Sequence, residues 1–273
     1  MHRPPTDLPG EPLSAAHVLP LAGTRQLGHQ IYRYLESTAS TNADARALAV
    51  AGAPHGSLVV AETQTAGRGR HDRPWLSPPG QGIYATLLLR PSGLPAAQSA
   101  LLTLLAAVAA AEAITRTIPE LMPSIKWPND ILINGRKVAG ILAELADGTA
   151  AAPCILLGIG INVNTPLDML PQRPIYPATS LALQAGHAVS RAALLAAWLQ
   201  RVEHWLERLD SGQHEALLTR WTECAGMTGR RVSVTQQTDV LQGTVSGIDT
   251  DGALLLHTDD NRVTRILSGD LRF

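Results

Sequence analysis

The chain has 273 residues, 45% of them hydrophobic and 16% charged, with a formal net charge of -1. That apolar content supports a sizeable core in one large domain or two unequal ones. The charge balance excludes a bulk basic field able to hold DNA or an anionic bilayer, so any site for an anion must be local.

Residues 1–28 contain Pro4, Pro5, Pro9 and Pro12 and show no clear periodicity, which predicts a flexible arm. No charged-then-apolar leader with a cleavage site opens the sequence, and cytoplasmic residence is expected. Ser40-Thr41-Asn42 starts a helix that runs through ADARALAVA to Gly52. A strand is predicted at 57–62 (SLVVAE), and a long loop rich in glycine and proline at 63–82. A structureless loop of that length inside a compact domain is usually functional. A strand at 83–89 and a buried helix at 98–114 follow. The Ala-rich run inside that helix, 101–111, is too short to cross a bilayer.

Short strands are predicted at 124–127 and 131–133, with the Asn134-Gly135 hairpin turn and a return strand at 138–144. Cys154, in the apolar run PCILLGIG that opens the strand at 155–163, reads as a small buried hydrophobe. It forms no CxxC pair with Cys224, so zinc and redox motifs are not indicated. Helices are expected at 191–209, with Trp198 and Trp205 on one face, and at 215–224. After Gly226 the texture changes to short strands and tight turns, a small β-barrel pattern.

Three clusters carry chemistry. Gly67-Arg68-Gly69-Arg70, followed by Arg73-Pro74-Trp75, combines glycines that allow close backbone approach, guanidiniums that pair with carboxylate or phosphate, and a ring able to stack. A solvated basic loop is the alternative, and neither a Walker A nor a GxGxxG pattern is present. The second cluster runs from Lys126-Trp127-Pro128-Asn129-Asp130 to Arg136-Lys137 and Gly140. Its hairpin would let Lys126 and Lys137 approach one cavity. These are the only lysines among 22 Lys+Arg, and a compact ammonium is not interchangeable with a guanidinium. Asp130 is a candidate Mg²⁺ ligand and Asn129 a candidate ligand-orienting group, although both residue types also occur in plain turns. In the third cluster, Gly158 and Gly160 share one strand face and leave room for a flat ligand or for tight sheet packing.

In this order, STN (40–42), QTAGRGR (64–70) with RPW (73–75), KWPND (126–130), RKVAGILAE (136–144) and GIGINVN (158–164) resemble bacterial biotin–protein ligases. The resemblance covers nearly all of residues 31–273 and is to the monofunctional type. Only 39 proline-rich residues precede Ser40, whereas a winged helix needs roughly 60 with helical periodicity, so no operator binding is expected.

The resemblance implies an α+β fold: a mixed β-sheet backed by helices in a class II synthetase-like catalytic domain (29–225), then an SH3-like β-barrel (226–273). It implies ATP-dependent activation of biotin to biotinyl-5′-AMP and transfer to a lysine of a biotin carboxyl carrier domain, with ATP and Mg²⁺ as cofactors. Biotin would be held by Ser40, Thr41, Asn42, Gln64, Gly67, Arg68, Gly69, Arg70, Lys137, Gly140, Gly158 and Gly160. ATP or the adenylate would meet Trp75, Lys126, Asn129 and Asn162. Arg68, Arg70, Lys126 and Lys137 would act on the reacting anions. An exposed sheet edge would permit a homodimer. A lipoate–protein ligase or octanoyltransferase, and a non-catalytic biotin-binding protein, are the competing readings. Neither nucleic acid nor membrane is an expected partner.

Overall fold

The computed structural model describes residues 11–91, 100–146, 154–171, 176–236 and 239–273. A seven-stranded mixed sheet has the order β1-β2-β3-β7-β6-β5-β4. Its strands are β1 (Tyr32–Leu35), β2 (Ser57–Ala61), β3 (Gly82–Leu89), β4 (Ser124–Lys126), β5 (Asp130–Ile133), β6 (Arg136–Leu145) and β7 (Ile155–Asn162). Only β1 and β2 run parallel.

The period-two alternation of side chains assigns each face of the sheet. On β3 and β7, Ile83, Ala85, Leu87, Leu89, Ile155, Leu157, Ile159 and Ile161 enter the main core. That face packs on α3 (Ala100–Thr117), α5 (Arg191–Asp210) and α6 (His214–Ala225). Trp198 and Trp205, one heptad apart on α5, are both buried there. By length and composition α3 is apolar enough to cross a membrane, yet most of it is buried in this core. The first residues of its predicted span, 98 and 99, lie outside the described residues.

The opposite face is covered at one end by α2 (Thr41–Val50), where Ala45, Val59, Leu88 and Leu156 form a second small cluster. Farther along the same face, β7 presents Gly158, Gly160 and Asn162, β6 presents Gly140 and Leu142, and β3 presents Tyr84 and Thr86. This stretch carries little apolar bulk, and it becomes the floor of a cavity.

The turn between β5 and β6 follows the residue chemistry of the sequence. Asn134 and Gly135 both take positive φ, 50° and 71°, as a two-residue hairpin turn requires. Beyond α4 (Leu181–Ala185), α5 and α6, a five-stranded antiparallel sheet of SH3-like type forms, in the order β11-β10-β9-β8-β12. Its strands are β8 (Arg231–Gln236), β9 (Asp239–Ile248), β10 (Leu254–Thr258), β11 (Val263–Ile266) and β12 (Asp270–Arg272). The indole of Trp127 donates to the Gly252 carbonyl at 3.2 Å and ties the two sheets together.

The N-terminal arm departs from expectation. Residues 1–10 lie outside the described residues, but residues 11–28 are docked. Helix α1 (Ala15–Ala22) packs on α5, and Leu13, Val18, Ala22 and Leu27 are fully buried. Full burial of one such aliphatic side chain contributes about 1.5–3 kcal/mol, which explains why a short segment without periodicity is held. Glu203 of α5 also accepts hydrogen bonds from the backbone N–H groups of Arg25, Gln26 and Leu27.

Candidate active site

A cavity of ≈ 370 Å³ opens on the α2 face of the large sheet. Gly158 and Gly160 of β7 and Gly140 of β6 floor it. Their missing side chains are functional space. A Cβ on Gly158 would come within 2.4 Å of Asn42 Oδ1, and one on Gly160 within 2.5 Å of the Trp75 indole. A Cβ on Gly140 would press at 3.3 Å on both Lys137 and Trp75. The glycine face thus accepts side chains from the surrounding loops, and Trp75 lies directly on it.

One end of the cavity is neutral and polar. Ser40 sits at the N-cap position of α2, and its side chain makes no capping hydrogen bond there. Gln64 Oε1 accepts from Thr41 N at 2.9 Å and Thr41 Oγ1 at 3.1 Å, and its Nε2 donates to Ser77 Oγ at 3.0 Å. Thr86, wholly buried on β3, donates to Asn42 Oδ1 at 2.6 Å and lies 2.9 Å from Thr41 Oγ1. Asn42 Nδ2 donates to Glu144 at 2.7 Å. These bonds fix which way each amide points, so the end presents a set pattern of donors and acceptors.

The other end is cationic. Arg68, Arg70, Arg73, Lys126, Lys137 and Arg272 line it against two carboxylates, Asp130 and Asp270. That local excess of positive charge stands in a chain of net charge -1. Strand β5 lies between β4 and β6, so its first residue, Asp130, receives both lysines: Lys126 Nζ at 3.3 Å and Lys137 Nζ at 2.6 Å. Lys126 also lies over the Tyr176 ring, 4.2 Å from its centroid. Burial lowers the pKa of the Lys126 ammonium, and Asp130 partly restores it. Burial likewise lowers that of the Arg70 guanidinium, which remains charged at any physiological pH. Arg70 donates to Asn129 Oδ1 at 3.4 Å and to the Gly269 carbonyl at 3.3 Å. Asn129 Nδ2 in turn donates to the Ile141 carbonyl, and Asn162 Nδ2 to the Thr179 carbonyl.

Sixteen of the residues singled out from sequence line this one cavity: Ser40, Thr41, Asn42, Gln64, Arg68, Gly69, Arg70, Trp75, Lys126, Asn129, Asp130, Lys137, Gly140, Gly158, Gly160 and Asn162. Gly67 does not. It sits behind the loop, where a Cβ would come within 2.7 Å of the Trp75 carbonyl. The Mg²⁺ role expected of Asp130 is not supported by the donor set. Both carboxylate oxygens are engaged by ammonium groups, and no cluster of three His, Cys, Asp or Glu side chains suited to a metal occurs among the described residues. Arg73, the third arginine of the loop cluster, also lines the cavity, as do Tyr176 and the β12 residues Asp270, Leu271 and Arg272, which no motif in the sequence marks. Thr86, equally unmarked, lies behind Asn42.

Comparison with known proteins agrees with this geometry. Residues 34–162 match the Biotin/lipoate A/B protein ligase family, and residues 228–271 match the Biotin protein ligase C terminal domain. The chain is 38% identical over 243 residues to a bifunctional ligase/repressor of Bacillus spizizenii, covering 89% of this chain and 73% of that protein. It is 36% identical over 226 residues to a biotin--[acetyl-CoA-carboxylase] ligase of Paracoccus denitrificans, covering 81% of this chain and 92% of that one. In structure it is similar to the biotin protein ligase of Aquifex aeolicus in complex with biotin and ATP. The TM-score is 0.76 at 27% identity, over 89% of this chain and 98% of that chain.

Proposed function

The chain belongs to the biotin protein ligase family, and from that premise we propose how its cavity activates biotin with ATP and passes it to a carrier lysine. The carrying observation is the polarity of the cavity: a fixed neutral hydrogen-bonding end and a cationic end joined by a glycine floor. The ureido ring of biotin belongs at Ser40, Thr41, Asn42 and Gln64, where donors and acceptors are held in place. Its thiophane ring and valeryl chain then follow the glycine wall alongside the Trp75 indole, and its carboxylate reaches Lys137.

In the first half-reaction a carboxylate oxygen of biotin attacks the α-phosphorus of ATP. The bond between the α-phosphorus and the α,β-bridging oxygen breaks, and pyrophosphate leaves with the electron pair. Two anions must approach, so the work of the protein is electrostatic. Lys126, Lys137, Arg68 and Arg70 offset the repulsion and stabilise charge growing on the phosphorus oxygens. Asp130 holds the two ammoniums apart from solvent and in register. Trp75 and Asn129 belong to the nucleotide side, with Asn162 supporting the wall behind them. Magnesium is expected to arrive on the ATP phosphates, since the described residues offer no carboxylate cluster for it and Asp130 is taken up by the two lysines. In the second half-reaction an uncharged carrier lysine attacks the biotinyl carbonyl and AMP leaves. The carrier is expected to be the biotin domain of acetyl-CoA carboxylase or a related carboxylase.

ATP–pyrophosphate exchange, run in parallel with biotin, lipoate and octanoate, tests this reading. Exchange with biotin alone is expected. Exchange supported by lipoate would transfer the chain to the lipoate-specific branch, and no exchange with any acid would leave a binding protein.

A further inference from the structure

The loop that carries Arg68 and Arg70 is closed at its base as a small hairpin, Trp75 N donating to the Gly67 carbonyl at 2.8 Å and Gly69 N to the Arg73 carbonyl at 2.7 Å, but its tip is strained. His71 and Asp72 both take positive φ, 56° and 54°, a region costly for side chains other than glycine, although Asp tolerates it better than most. The local Arg68–Asp72 ion pair, at 3.3 Å, is exposed and contributes little. What fixes this hairpin against the rest of the protein is a set of side-chain bonds to the C-terminal sheet. Arg73 and Asp270 meet fork to fork, two guanidinium N–H groups on two carboxylate oxygens, across 197 positions of sequence. Arg70 adds its bond to the Gly269 carbonyl. The receiving backbone is rigid: a Cβ on Gly269 would come within 2.6 Å of Val234, and Asp270 and Leu271 are registered on β8. Tyr176, under which Lys126 sits, donates to the Leu271 carbonyl at 3.2 Å.

We propose that Asp270 is a positioning residue, a catch on the C-terminal sheet that fastens Arg73 and thereby keeps the Arg68–Arg70 segment closed over the reactive mixed anhydride. This rests on the adenylating function argued above. Asp270 touches no reacting atom in this scheme; it acts through Arg73. Bidentate pairing sets the geometry as well as the strength of the contact. The pair is partly exposed, with side-chain accessibilities of 44% and 29%, so the catch is weak enough to open for entry and release. The carboxyl of Asp270 is held below its usual range, chiefly by the hydrogen bond from Arg73, so the pair is intact at neutral pH.

The test is the dissociation rate of preformed biotinyl-5′-AMP from wild type, Asp270→Asn, Arg73→Ala, the double variant, and the swap Arg73→Asp/Asp270→Arg. Each single variant is expected to release adenylate about three- to ten-fold faster. The double variant should add nothing further, and the swap should return to within about two-fold of wild type. Trypsin cleavage after the loop arginines, an independent readout, should quicken in Asp270→Asn without ligand. Unchanged release and cleavage in Asp270→Asn, or strictly additive effects in the double variant, would overturn the catch and leave the enzyme assignment untouched. Wild type that neither forms nor retains adenylate would overturn the functional reading, and the catch with it.

Discussion

Lys126 and Lys137, the only lysines of the chain, grip opposite oxygens of the Asp130 carboxylate at 3.3 and 2.6 Å. One carboxylate therefore holds two ammonium groups side by side. Burial works against the charge on Lys126, and Asp130 is the first of the groups that oppose it. Removing that carboxylate in Asp130→Asn should cut biotin-dependent pyrophosphate exchange about 10²-fold at neutral pH. It should also move the alkaline limb of the pH profile to lower pH, because Lys126 then loses its proton sooner. An alkaline limb that stays in place would show that Asp130 is not the counter-charge of these lysines.

The same burial carries a signature in stability. The pKa of Lys126 is lower folded than unfolded, so over the window between the two values the unfolded chain binds the extra proton. The contribution of Lys126 to stability therefore rises with pH through that window. Replacing it with Met should remove this rising component from urea-derived stability measured across alkaline pH. An unaltered pH slope in Lys126→Met would contradict the assignment.

Gly158→Ala and Gly160→Ala should separate folding from ligand binding. The added methyl groups would stand 2.4 Å from Asn42 Oδ1 and 2.5 Å from the Trp75 ring, so Asn42 must give up its bond from Thr86 and the indole must shift. Both variants should fold, but their cavity walls move. A rise in the biotin dissociation constant of about 10–100-fold is expected by titration calorimetry, in line with lost packing and a broken hydrogen bond. Wild-type affinity in either variant would mean that biotin does not use this floor.

Much of this site is legible in sequence because its signals are local. Gly158 and Gly160 share a face through the strand period of two, and Asn134-Gly135 specifies the turn that sets Lys137 beside β5. The scarcity of lysine marks two positions that the structure joins on one carboxylate. What sequence hides is non-local. Thr86 looks like an ordinary strand residue until β3 brings it under Asn42, 44 positions away. Asp270 and Tyr176 belong to no motif; the C-terminal sheet brings Asp270 to the cavity, and pairing of residues 177–179 with Lys137 brings Tyr176. Helix α1, eight residues with Pro20 among them, is too short to show a periodicity in sequence, and its order comes from packing on α5.

Arg191 should be among the most sensitive positions for stability. Its guanidinium, almost wholly buried, pairs with Glu62 at 2.5 Å and donates to the carbonyls of Gly82 at 3.2 Å and Glu11 at 2.6 Å. Glu62 directly follows β2 and Gly82 begins β3, so one side chain fastens both ends of the arginine loop. Arg191→Ala leaves the half-buried Glu62 without its ionic partner, with the Leu13 N–H still bonded to it, and should cost about 3 kcal/mol in urea unfolding. Arg191→Met paired with Glu62→Met removes both charges and should recover a good part of that loss. A cost below about 1 kcal/mol for Arg191→Ala would mean that water replaces the pair freely.

Thr86→Val tests whether the neutral end of the cavity reads the head of biotin. Valine keeps the shape and removes the hydroxyl that donates to Asn42 Oδ1 and lies beside Thr41 Oγ1. An amide oxygen that loses its buried donor is free to turn, and the pattern offered to a ureido group blurs. Such a loss is worth about 1–3 kcal/mol, so KM for biotin should rise roughly ten-fold or more while KM for ATP holds. Discrimination against octanoate, which has no ring to read, should shrink by the same factor, because only the correct substrate gained from the lost contacts. Thr86→Ser restores the hydroxyl and should restore biotin KM even if its missing methyl lowers the melting temperature. Equal losses for biotin and ATP, or failure of serine to rescue, would assign Thr86 to packing alone and move the recognition of biotin elsewhere along the cavity.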